Sequence, residues 1–225
     1  MSLFDEYIEK FKKEHVDVEH FNPANLEIIT ISRTTGCGAV QIAERLAKIL
    51  GYKVWDSEIL NSICENIKTI KSKLNYVDEH TFANAQNFVG EFFNADALTN
   101  FTYKKELTRL LYVICLNNKA IIVGRGANFF IKDALHIRLD ADINKRITKI
   151  AEDLNSSRIV AKDYIIKTDK QRANFVNSCF GKEKVKNFKY DLEIDTDNFT
   201  YDDVVKIIAT AMECHKANLH RQYID

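Results

Sequence analysis

The chain has 225 residues, 46% hydrophobic and 28% charged, a balance that excludes a fibrous or disordered chain and suits one globular domain. Lysine plus arginine and aspartate plus glutamate each number 32, so no global basic field draws the protein to nucleic acid or to an anionic membrane. The five cysteines are odd in number and form no CxxC pair, which argues against a disulfide framework or zinc site and for reduced thiols in the cytoplasm.

Residues 2–15 space Leu3, Phe4, Tyr7, Ile8 and Phe11 as an amphipathic helix does. Its apolar stripe would pack on the domain's own core or on a sister subunit, so a homodimer through this helix is one expectation. The first residues carry no apolar signal core, and no run reaches the ~18 residues of a membrane span. "HFNPAN" breaks the helical pattern and reads as a connector. "LEIITIS" (26–32) is a continuous apolar run, the signature of a strand buried on both faces. Residues 39–51 follow as a helix, with Ile42, Ala43, Leu46, Ala47 and Leu50 on one face and Gly51 as its C-cap. "YKVWD" (52–56) is a second strand, which completes a βαβ unit.

Residues 57–118 read as mainly helical, near 57–72, 78–93 and 103–117. "KAIIVGRGA" (119–127) is a third buried strand that runs into a glycine turn, and "LHIRLDA" (135–141) is a fourth. Helices are predicted over 142–154 and 157–179, a strand over 190–196, and a final helix over 200–217 with Thr200 as N-cap. Strands separated by helices imply an α/β fold with a five-stranded parallel sheet. Ligands of such sheets bind at the carboxyl ends of the strands. That rim gathers the loop from Arg33 to Ala39, the pair Asp56–Ser57, and Gly124–Arg125–Gly126.

Only seven glycines occur, and four of them are Gly36, Gly38, Gly124 and Gly126. Where glycine is scarce, such pairs point to close approach of something to the backbone. The loop 33–39 could be a tight turn or an anion nest at a helix N-terminus, for which phosphate is the natural guest. Arg125, between two glycines at a strand end, is a forked donor suited to phosphate. The basic stretch Lys162, Lys167, Lys170 and Arg172 could be a solvated face or a lid that closes on phosphates. The histidines show no metal-ligand spacing, so no metal site is expected from protein side chains alone.

"ITISRTTGCGAVQIAERLAKILGYKVWDSEIL", "AIIVGRGANFF", "IRLDADINKR" and "KTDKQRANF", in this order and spacing, resemble the cytidylate kinase-like family over about residues 27–214. The resemblance implies a P-loop NTPase-like three-layer sandwich at 27–225, with residues 1–26 as an extension. It implies a helical substrate-binding insertion near 57–118 and a lid near 155–180. It places Gly36, Cys37, Gly38, Ala39, Val40 and Gln41 in a phosphate loop for ATP with Mg²⁺. Arg146 and Lys149 fall on the helix before the lid. Asp56, Ser57 and Arg125 fall where the acceptor nucleotide binds, and Asp169 and Arg172 at the lid's far end. Catalytic charge stabilisation would come from Arg33, Arg125 and Arg172, and Asp56 or Asp169 would orient the acceptor or a hydrated Mg²⁺. The Walker lysine position holds Ala39 and the hydroxyl position Gln41, so Arg33 is the expected substitute cation. Two readings follow: a kinase for a nucleoside monophosphate or other small acceptor, and a nucleotide-binding protein without catalysis.

Overall fold

The computed structural model describes residues 26–57, 60, 107, 110–111, 114–115 and 118–224. The expected N-terminal helix and most of the 57–118 insertion lie outside them. Among the described residues the strands are β1 (Ile28–Arg33), β2 (Lys53–Trp55), β3 (Ala120–Val123), β4 (Leu135–Asp140) and β5 (Leu192–Asp195). The helices are α1 (Ala39–Leu50), α2 (Ala127–Phe130), α3 (Ile143–Asp153), α4 (Arg158–Phe180), α5 (Lys182–Lys186) and α6 (Tyr201–Ile224). All strand pairs are parallel, in the order β2-β3-β1-β4-β5. β1 sits at the centre, with Ile31 opposite Val123 on one side and Ile137 on the other.

The continuous apolar runs are explained by burial on both faces. Ile28, Ala120 and Ile122 pack on one side with Leu60, Leu107, Leu110, Leu111, Ile114 and Cys115, which are helical. Ile29, Ile31, Ile121, Val123, Ile137 and Leu139 pack on the other against Ile42 and Leu46 of α1 and Val204, Ile208 and Met212 of α6. The result is the three-layer α/β sandwich that the sequence suggests. No helix among the described residues is long and apolar enough to cross a membrane.

Each strand falls within about two residues of its expected place, but β3 stops at Val123, where the glycine turn begins. α6 begins with a reciprocal cap: Asp203 N donates to Thr200 Oγ1 at 3.2 Å and Thr200 N to Asp203 Oδ2 at 3.3 Å. It continues to Ile224, past the expected end at 217, because Leu219 is still buried against the core. The short helices α2 and α5 had no periodic signal in the sequence, being only a turn or so long.

One buried polar contact crosses the sheet interior. Thr30 Oγ1 lies 2.7 Å from His136 Nδ1, and His136 Nε2 lies 3.3 Å from Lys132 O. A carbonyl accepts only, so Nε2 carries a hydrogen, and in the neutral ring Nδ1 accepts from the threonine hydroxyl. Burial pushes the His136 pKa below its ordinary value, against the pull of Asp191 and Asp133. A lowered folded value means that the unfolded chain takes the proton first. Stability is therefore expected to fall as pH drops below the ordinary histidine value of about 6.5, and to be insensitive to this group above it. Urea midpoints from pH 8 to 5 would show this limb in the parent and a shallower one in His136→Gln.

Candidate functional site

The carboxyl ends of β1, β2 and β3 meet on one rim, as the strand order requires. β1 delivers Thr34, Thr35 and Gly36 into a loop that ends at Gly38, the N-cap of α1. Gly36 and Gly38 have φ of 87° and 82°, left-handed values that turn successive N–H groups inward. The first N–H groups of α1 have no intrahelical acceptor; Ile42 is the first to find one, donating to Gly38 O at 3.0 Å. A left-handed loop ahead of a helix start is the geometry that suits an anion.

The loop is pinned from below and above. Below, Thr34 Oγ1 donates to Asp140 Oδ1 at 2.8 Å, and Thr196 Oγ1 lies 3.1 Å from Cys37 O. Burial raises the Cys37 thiol pKa, so it is a packed thiol rather than a nucleophile. Above, α3 and α4 reach Thr35. Asp169 Oδ1 accepts from Thr35 N at 2.9 Å and from Thr35 Oγ1 at 2.6 Å, while Asp169 Oδ2 accepts from Arg146 Nη1 at 2.7 Å. Arg172 Nη1 donates to Thr35 Oγ1 at 3.0 Å.

Arg33 ends β1, and its Nη2 donates to Ser57 Oγ at 3.0 Å. Its guanidinium crosses the end of β3 over Gly124: a Cβ at that glycine would overlap Arg33 Nη1. The side chain thus reaches toward Ser57, where the loop would be the alternative. Burial, then repulsion from Arg172 and Arg125, pushes the Arg33 pKa down to about 10, and Cys37 and Asp56 oppose this. It remains charged at neutral pH. Arg172 is also lowered, by burial first and Arg125 last, with Asp169 opposing. Arg125 has φ 55° between Gly124 at 86° and Gly126 at 68°. Its Cζ lies 5.1 Å from the centre of the Phe175 ring of α4, a cation–π contact.

Arg33, Arg125 and Arg172 thus come together from β1, from the turn after β3 and from α4. Arg146 joins through Thr35 and Asp169. Lys149 does not: its Nζ lies 3.7 Å from Asp153 Oδ2, one turn along α3. A strict Gly-Lys-Ser/Thr register from Gly38 gives the lysine position to Ala39 and the hydroxyl position to Val40, one residue before the expected Gln41. Ala39 is buried, and Val40 and Gln41 are exposed. Asp56 accepts from Leu60 N through its carbonyl at 3.0 Å and lies near enough to Arg33 to raise its pKa.

Thr35 lies in the 33–39 loop that the sequence placed on this rim but was not singled out there, and Tyr201 was missed. A Cβ at Gly38 would overlap the Tyr201 phenol, which comes from the start of α6. Neither residue type carries a local signal, because their partners lie far along the chain. Phe180 similarly fills the space at Gly126 and stacks on Phe129 at 4.6 Å, which clasps the end of α4 to the β3 turn.

The chain aligns with a crystal structure of an uncharacterized protein from Eubacterium ventriosum at TM-score 0.58 and 19% identity, over 83% of this chain and 99% of that one. The shikimate kinase from Bacteroides thetaiotaomicron aligns at TM-score 0.43 and 14% identity, over 83% and 98%. The deoxyadenosine kinase from M. mycoides aligns at 0.39 and 12%, over 83% and 99%. No curated protein matches the sequence. The family comparison matches residues 28–198, from the first strand to the loop after the last one. The glycine loop, the turn around Arg125 and the Asp169–Arg172 segment all fall inside that span, and the chain belongs to the cytidylate kinase-like family.

Proposed function

We propose that the protein is a cytoplasmic kinase that transfers a phosphoryl group from ATP to a nucleoside monophosphate, cytidylate or a similar one. The observation that carries this reading is the convergence of Arg33, Arg125 and Arg172 beside the glycine loop. These cations repel one another; Asp56 and Asp169 offset part of that cost, and an anion bound between them would offset more. Arg125 Nε and Arg146 Nε are buried without a protein acceptor. Buried donors of this kind fit phosphate oxygens.

The backbone from Gly36 to Gln41 would hold the donor phosphates through its N–H groups and the helix dipole. Arg33, Arg125 and Ser57 would hold the acceptor phosphate, and Arg172 would come in from the lid. Both oxygens of Asp169 are engaged by Thr35 and Arg146, and Asp56, close enough to Arg33 to raise its pKa, would orient the acceptor. No group of three metal-ligating side chains occurs among the described residues. Mg²⁺ bound through phosphate oxygens, waters and one carboxylate needs no such group. ATP with Mg²⁺ would supply the phosphoryl group and neutralise its charge; the arginines hold the reactants in line and stabilise charge between them. The thiols of Cys37, Cys115 and Cys214 suit a reducing compartment.

Ala39 at the lysine position favours a second reading, a nucleotide-binding protein without turnover. A thermal-shift and turnover screen of nucleoside mono- and triphosphates with Mg²⁺ separates the two. The kinase reading expects stabilisation by ATP and formation of ADP with at least one monophosphate. Stabilisation by triphosphate with no turnover would establish the second reading.

A further inference from the structure

Thr35 is 5% exposed, and each of its polar groups meets a side chain of α3 or α4. Its N–H and O–H donate to Asp169 Oδ1, its hydroxyl oxygen accepts from Arg172, and its carbonyl accepts from Arg146 Nη1 at 3.3 Å. Thr35 adjoins Gly36, where the loop turns, and Gly36 itself packs against Arg146 and Ile150 of α3. α4 is otherwise held by Ala161 and Ile165, buried against Ile147, by Arg146–Asp169 and Arg158–Thr148 contacts with α3, and at its far end by Phe175 and Phe180 on the β3 turn, so Thr35 is the hold between α4 and the loop itself.

We infer that Thr35 is a positioning residue that latches the lid helix α4 to the phosphate loop and holds Arg172 in place against the repulsion of Arg33 and Arg125. The lid bears a cation that its neighbours push outward. The Thr35 hydroxyl and the Asp169 carboxylate are what hold that cation against the loop. Arg172 spends one N–H on Thr35 and keeps the rest of its fork for an anion. The latch thus fixes the direction of Arg172 before any phosphate arrives, which lowers the reorganisation needed on binding.

The consequence for phosphate transfer rests on the kinase reading, whereas the latch itself does not. Thr35→Val keeps the shape and the backbone N–H but removes the hydroxyl; Thr35→Ser keeps the hydroxyl. Hydrogen exchange of the α4 amides without any ligand is expected to rise about tenfold in Thr35→Val, with the α6 amides unchanged and Thr35→Ser like the parent. Turnover, in any ATP-dependent reaction the screen finds, is expected to fall about tenfold in Thr35→Val with KM for ATP nearly unchanged. Unchanged α4 exchange in Thr35→Val, or equal loss in Thr35→Ser, would overturn the latch. If ATP neither stabilises nor is turned over by the parent, the kinase reading fails and the exchange experiment still decides the latch.

Discussion

Gly124→Ala is expected to lower affinity for a nucleoside monophosphate such as CMP about ten- to a hundredfold, the effect of losing one charge-assisted phosphate contact. Two separate costs arise at this position. The first is local: φ is 86°, and an alanine held in left-handed backbone costs about 1–2 kcal/mol of folding stability. The second is steric: the added methyl overlaps Arg33 Nη1, and Arg33 must leave its hydrogen bond to Ser57. Gly51→Ala separates the two. Gly51 has φ 70° but open space around a Cβ, so it pays the strain without disturbing any side chain. Urea unfolding should therefore destabilise both variants, while CMP titration calorimetry should register only Gly124→Ala. In an Arg33→Ala background the binding effect of Gly124→Ala should nearly vanish, because the two changes act through one guanidinium. Equal binding losses from Gly51→Ala and Gly124→Ala would refute this account.

The behaviour of these glycines also marks how far sequence reading reached. Scarce glycine paired at two strand ends pointed correctly to close backbone approach. The sequence suggested a ligand as the approaching group. In the structure the nearest groups are the protein's own: Arg33 at Gly124, Tyr201 at Gly38, Ile150 and Arg146 at Gly36 and Phe180 at Gly126. A glycine reports that something comes near and carries no record of what. The sheet was legible because β1 and β3 are buried on both sides by apolar residues that leave a nearly unbroken run, while β4 alternates, with Leu135, Ile137 and Leu139 in the core. Arg125 stood out because a cation between two glycines at a strand end has few structural roles, and the structure brings it beside Arg33 and Arg172. Thr35 was not legible, since threonine is ordinary in turns and its importance comes from Asp169, 134 positions away. Lys149 was read into the site by its place on α3, yet one helical turn sets its ammonium beside Asp153.

Arg125 tests the proposed chemistry most sharply, because stability and activity should part company there. Its left-handed backbone is costly for any residue with a Cβ, by about 1–2 kcal/mol, and such strain persists where the surroundings demand it. Arg125→Gly relieves that strain and forfeits the contact with Phe175, itself about 0.5–1 kcal/mol. The melting temperature should therefore stay near that of the parent or rise. Turnover should fall about 100- to 1000-fold, the usual effect of deleting one preorganised donor to developing charge. Arg125→Lys keeps the charge but loses the fork and the flat face that lies on Phe175, so it should recover only part of the activity. A structural arginine would produce the opposite pattern: a less stable Arg125→Gly protein with turnover intact. Because backbone strain is retained only against a compensating gain, a stable and inactive Arg125→Gly would identify that gain as the anion held among Arg33, Arg125 and Arg172.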